Sequence, residues 1–330
     1  MLQIPPVITA DLSGKTILVT GANVGIGLEA AKHFARMNPE RLLITCRSEE
    51  KGKIAIAEIE RETGFTRVEA RVLELSSFQH VVSFASQLQK EIPAIHILVA
   101  NAGVAMTKWE WTPDHWETNL QVNHLSTALL ILLLLPCLAQ AALDSGSSSR
   151  VVLVSSRQHT QVSFSEDHFP SGILAQLNNQ SLFDGAKFLS RYPHTKLLNI
   201  LFTRALAERL LPTSGIVADA VNPGFCASQL MRHVEDKSVL DQYKSLLRSP
   251  EEGSRALIFA AVVRSNAGKE DIQQFQGAYI SDVAQITSPS DWVLSAEGHR
   301  AQEKIWDETI EILSKVSTNV GEILKKYTKQ

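Results

Sequence analysis

Apolar residues along this chain fall into short unbroken runs, set apart by longer stretches in which they recur every three or four positions. The runs at 16–20 (TILVT), 41–46 (RLLITC), near 67–73, 95–100 (IHILVA), 150–155 (RVVLVS), 215–222 (GIVADAVN) and 277–281 (GAYIS) predict seven strands. Helical periodicity predicts helices over about 25–37, 49–62, 77–91, 113–143, 192–211 and 295–314. The strand runs do not alternate with polar residues, so both faces of each strand must be covered. Strands of that kind, interleaved with helices, build an α/β doubly wound parallel sheet, here seven-stranded, with helices on both faces. No internal repeat, low-complexity tract or linker interrupts the pattern, and residues 1–330 are expected to form a single domain.

One segment tests that picture. STALLILLLLPCLAQAAL (126–143) approaches the ~20 apolar residues of a membrane span. Pro136 and Gln140 interrupt it and neither flank is basic, so it is expected to be a core helix and not a transmembrane anchor. The net charge of −3, without a run of Lys or Arg, argues against a nucleic-acid partner. Cys46, Cys137 and Cys226 lie far apart and the ten histidines include no H-E-x-x-H, so neither a disulfide framework nor a metal site is expected. The start, MLQIPPVITADLSGK, lacks a basic segment followed by an apolar one, and a cytoplasmic location is expected.

At the end of the first strand stands LVTGANVGIGLEAAKHF, with Gly21, Gly25 and Gly27 spaced G-x-x-x-G-x-G and Asn23 and Ile26 between them. A strand, a glycine-rich turn and a helix in that order form a phosphate cradle, because a pyrophosphate can approach the bare backbone and meet the helix N-terminus. Further along come NAG (Asn101, Ala102, Gly103), LQVNHLST with Asn123, VLVSS ending in Ser156, RYPHTK with Tyr192 and Lys196, and NPGFCAS with Pro223, Gly224 and Ser228. With these motifs at these element ends, the chain resembles the short-chain dehydrogenases/reductases over roughly residues 14–285. It looks most like the branch of retinol-dehydrogenase-like enzymes and many fungal reductases.

That resemblance implies a Rossmann fold, a nicotinamide cofactor and a small-molecule carbonyl substrate. Tyr192 would be the acid/base and Lys196 its tuning cation, and both would also bind the cofactor, Lys196 by holding the nicotinamide ribose. Ser156 would orient the carbonyl, and Asn123 would hold a water for proton relay. Asn101, Ala102, Gly103, Pro223, Gly224 and Ser228 would line the cofactor, as would Glu74 and Leu75, where the family usually has Asp before leucine. The chemistry of the pair is independently sound. A hydride reaching a ketone leaves an alkoxide, which needs a proton donor. Residues i and i+4 share a helix face, and a cation within ~4–6 Å favours phenolate.

About twenty residues beyond the glycines, where a dinucleotide fold commonly places a carboxylate on the ribose, this chain has Arg47 followed by Ser48. A guanidinium pairs with a 2′-phosphate and a carboxylate repels it, so the expected cofactor is NADPH/NADP.

Residues 157–191, between Ser156 and Tyr192, are longer than in common members of the family and are expected to be an active-site loop. His159, His168 and Phe183 are its candidate pocket residues, and a substrate-covering helix is expected near 226–250. The resulting reading is an NADPH-dependent carbonyl reductase, with fungal specialised metabolism as an implied setting. Two others stay open: a non-redox isomerase, dehydratase or cyclase using the same site, and an NADPH-bound regulatory protein. A homo-oligomer is also left open.

Overall fold

The computed structural model describes residues 4–165, 169, 172–184, 191–233, 247–263 and 273–329. Its strands are β1 (Thr16–Val19), β2 (Arg41–Cys46), β3 (Val68–Val72), β4 (Ile97–Ala100), β5 (Ser149–Val154), β6 (Ile216–Val221), β7 (Tyr279–Ile280) and β8 (Ile286–Thr287). The longer helices are α1 (Gly25–Arg36), α2 (Glu49–Thr63), α3 (Phe78–Glu91), α4 (Thr118–Ser145), α5 (Tyr192–Arg209), α6 (Pro250–Val262), α7 (Ala296–Val316) and α8 (Asn319–Tyr327).

All strands join one sheet in the order β3-β2-β1-β4-β5-β6-β7-β8, parallel except for the β7–β8 pair. Among the described residues the predicted count of seven is therefore corrected to eight. The added strand is two exposed residues, too short and too open to leave a hydrophobic signature. In β1, Ile17 and Val19 face a core built on α1, α2 and α6, whereas Leu18 faces the core of α3, α4 and α5. Successive strand residues point to opposite faces, so unbroken apolar runs are what two buried faces require. Val19 lies between Ile44 and Val99, which places the reversal of strand order between β1 and β4. A crevice at the carboxyl ends of the strands is the ligand site such a reversal creates.

Local chemistry explains the boundaries. Helix α2 starts where Ser48 Oγ accepts from Lys51 N at 3.2 Å, and it stops at Gly64, whose φ of 73° suits a left-handed cap. Helix α6 opens with a capping box between Ser249 and Glu252. Helix α4 starts at Thr118, not at 113, because residues 110–117 form a tight turn. There Trp111 bridges Glu117, and the Glu117 carboxylate caps Leu120 N at 2.8 Å. Helix α4 is long and apolar enough to cross a membrane, but 83% of its apolar window is buried inside the protein, as expected for a core helix. Helix α8 was not expected from the sequence; its short amphipathic stretch follows Ser317 and packs on α4.

Candidate active site

The site begins with the backbone of the glycine loop. Gly21 leaves β1 with a φ of 64°, and Asn101 Nδ2 donates to Thr20 O at 2.9 Å and to Gly21 O at 3.2 Å. Thr20 Oγ1 accepts from the N–H groups of Asn101 and Ala102, both at 3.0 Å, so the ends of β1 and β4 are laced together. A Cβ at Gly27 would lie 2.5 Å from Asn101 Nδ2 and 2.6 Å from Gly21 O, which no side chain can accept. Val24 precedes α1 without a side-chain cap, and no acidic residue lies in the first turn. The helix therefore presents free N–H groups and its positive end to the crevice. Gly25, with φ 62°, lies beside Ser228 across the crevice. The backbone cradle thus fits the pyrophosphate of the dinucleotide that the resemblance implies.

The crevice widens into a cavity of about 1170 Å³. Gly21, Asn23, Gly25, Ile26 and Gly27 line it from the glycine loop, and Asn101, Ala102 and Gly103 from the end of β4. Pro223, Gly224 and Ser228 line the opposite wall. At the far end stand Arg47, Glu74 and Leu75. Glu74 is partly committed to its own turn, since its carboxylate accepts from Ser76 N at 3.0 Å and Ser76 Oγ at 2.9 Å.

Ser48, next to Arg47, uses its hydroxyl as the α2 cap. Two cations missed by the sequence reading line that end, Lys51 and Arg232. The Lys51 signal was present, because a residue four positions after Arg47 falls in the first turn of the next helix.

At the other end, Tyr192 and Lys196 lie on the first turns of α5, where Pro193 has no N–H to lose. Ser156 hydrogen-bonds the Tyr192 hydroxyl, and Lys196 Nζ donates to Val154 O at 2.9 Å while standing 5.4 Å from the Tyr192 ring centre. Tyr192, Lys196 and Ser156 all border the cavity. The neighbouring Ser155 is structural, donating to Lys196 O at 2.7 Å.

Burial works against the lowering of the tyrosine expected from Lys196. Burial raises the Tyr192 hydroxyl above its usual 10; the Ser156 hydrogen bond opposes that shift and the nearby Cys226 adds to it. Burial also pushes Lys196 down to about 8. Both side chains are nearly sealed from solvent, at 6% and 3% exposure, so desolvation of the charged form is the leading influence on each. A neutral phenol at pH 7 is a proton donor, and an ammonium near 8 exchanges protons easily.

Asn123 is buried beside this pair. It lies in a π-helical turn of α4, Gln121–Leu125, and does not line the cavity. Its amide donates to Val104 O at 2.8 Å and to Thr195 Oγ1 at 3.1 Å, and its carbonyl accepts from Val104 N at 2.8 Å. One turn earlier Asn119 accepts from Met106 N at 2.8 Å. Together these asparagines fasten the segment after Gly103 to α4, beside Lys196. Asn222, also missed, does the same for the opposite wall: its Oδ1 accepts from Arg157 N at 3.2 Å and Gly224 N at 3.0 Å.

Of the loop candidates, His159 is buried, accepts from Ser290 N at 3.1 Å and lies against Tyr279, so it braces the loop from beneath and does not line the cavity. Phe183 packs on Trp109, one layer behind the wall. His168 lies outside the described residues. Gln158, Thr160 and Gln161 face the cavity instead. In the region expected to cover the substrate, a 3₁₀ turn at Gln229–His233 is described, and residues 234–246 lie outside the described residues.

A family model described as short chain dehydrogenase matches residues 15–168. A short chain dehydrogenase/reductase from Cryptosporiopsis is 32% identical over 96% of this chain and 95% of its own length. Retinol dehydrogenase 12 of Mus musculus is 33% identical over 92% of this chain and 87% of its own. Among solved structures, a Pseudomonas aeruginosa protein determined as an NADP active-site complex superposes with a TM-score of 0.62 at 22% identity, covering 82% of this chain and 95% of that one.

Proposed function

The chain belongs to the short-chain dehydrogenase/reductase family, and on that premise we propose that it is an NADPH-dependent reductase of a ketone or aldehyde. The observation that carries this reading is the convergence of Tyr192, Ser156 and Lys196 at one end of the cavity whose other parts are the glycine cradle and Arg47. When bound, the nicotinamide supplies the hydride. Tyr192 gives its proton to the oxygen that becomes the alcohol, and Ser156 holds that oxygen in line with a second hydrogen bond. Lys196, behind Tyr192, orients the ring and returns a proton to it. Arg47 and Lys51 pair with a 2′-phosphate, which favours NADPH over NADH.

The test is a screen of purified protein with NADPH against varied ketones and aldehydes, following absorbance of the reduced nicotinamide and the alcohol formed. One alcohol per NADPH consumed supports the proposal. Product formed without NADPH consumption would assign the site to a non-redox reaction.

A further inference from the structure

Trp111 is 49% exposed at the edge of the cavity, yet it is held firmly from behind. Its ring meets Trp109 edge-on, with centres 4.9 Å apart. Trp109 is in turn flanked by Phe183 at 5.5 Å and by the Arg191 guanidinium at 5.9 Å. Arg191 is 5% exposed and immediately precedes Tyr192, so this stack of rings is anchored beside the proton donor. The backbone is pinned as well: Thr112 N donates to Trp116 O at 2.9 Å and Thr118 N to Glu110 O at 3.0 Å.

Trp111 also borders a shallow depression of about 350 Å³ that it shares with Thr112, Pro113 and His115. Trp111, Thr112 and Pro113 line both spaces, so this segment, with Trp111 its large exposed side chain, forms the ridge between the cavity and an outer hollow. A large aromatic side chain fixed in that position offers a flat apolar face to whatever occupies both spaces.

Resting on the reductase reading above, we propose that Trp111 is the outer platform of the substrate site. The molecule whose carbonyl reaches Tyr192 carries a flat apolar body, an aromatic or fused-ring system, that stacks on Trp111 and extends into the outer hollow.

The test compares the wild-type protein, Trp111→Ala and Trp111→Phe, using 2-acetonaphthone as the flat ketone and butanone as the small one. Calorimetric binding of 2-acetonaphthone in the presence of NADP, where no turnover occurs, reads the platform alone. Trp111→Ala should weaken it roughly tenfold and Trp111→Phe by less than about threefold. In turnover with NADPH, the same change should appear in KM for 2-acetonaphthone, with its kcat and the KM for butanone unchanged. Equal affinity of wild type and Trp111→Ala for 2-acetonaphthone, or no binding by the wild type, would overturn the proposal. Loss of binding in Trp111→Ala with no ketone reduced by the wild type would keep the platform and sink the reductase reading.

Discussion

Lys196 Nζ stands 5.4 Å from the centre of the Tyr192 ring and spends a hydrogen bond on Val154 O, with almost no solvent at either side chain. The two residues are paired by position, while burial sets the protonation state each prefers.

That arrangement gives stability a pH dependence of known sign. Lys196 has a folded pKa of about 8 against an ordinary 10.5, so between these values the unfolded chain holds more protons. Through this group, stability rises as pH rises from about 8 to about 10.5, and the cost of burying the charge is fully present below 8. Lys196→Met should therefore raise the unfolding free energy at pH 7 by about 3 kcal/mol or less, and Tm with it, while abolishing turnover. Thermal unfolding of both proteins across pH 7 to 11 checks this. A lower Tm for Lys196→Met at pH 7 would show that the ammonium is stabilising where it sits.

Tyr192→Phe removes the donor and leaves the ring. Reduction should fall by roughly 10²- to 10⁴-fold while the NADPH dissociation constant changes less than about threefold. Ser156→Ala should lower kcat in the same direction. Single-turnover kinetics and fluorescence titration of NADPH separate the two effects, and an active Tyr192→Phe would remove the tyrosine from the mechanism.

Arg47→Asp replaces attraction for a 2′-phosphate by repulsion. It should weaken NADPH binding by about 10- to 100-fold and leave NADH binding nearly unchanged or improved. Lys51→Ala should produce a smaller loss in the same direction. Dissociation constants for both nucleotides provide the check, and equal losses for NADPH and NADH would place Arg47 elsewhere than on the 2′-phosphate.

Gly27→Ala should cost about 1–3 kcal/mol and abolish nucleotide binding, because the new methyl would meet both Asn101 and the Gly21 carbonyl. Denaturant unfolding and NADPH titration measure the two parts. A protein that binds NADPH normally with alanine at this position would contradict the cradle geometry.

The sheet was legible because strands covered on both faces leave unbroken apolar runs, as Ile17, Leu18 and Val19 do. Two-residue β8 and short α8 were not, being too short for a period to register, and neither was α6, whose run of small and apolar residues is buried on most sides. In the site, placements that rest on backbone geometry were readable: the glycine turn, Asn101 against it, and Tyr192 and Lys196 one turn apart on a helix. Competing local uses of the same side chain were harder to see. Ser48 caps a helix, Asn123 clamps Val104, and His159 supports Ser290, each satisfying a nearby backbone group that the sequence alone does not place. The opposing pull of burial was not legible for a related reason, because the depth of burial at Tyr192 and Lys196 is a property of the assembled walls.

Hydride transfer is the central claim, and isotope transfer tests it most directly. The protein would be supplied with NADPH carrying deuterium at C4 of the dihydronicotinamide and a ketone it turns over, and the product alcohol would be examined by mass spectrometry and proton NMR. Deuterium on the carbinol carbon, one per NADPH oxidised from the labelled face, is the expected result. Product that forms with NADPH unconsumed and no deuterium on carbon would contradict it.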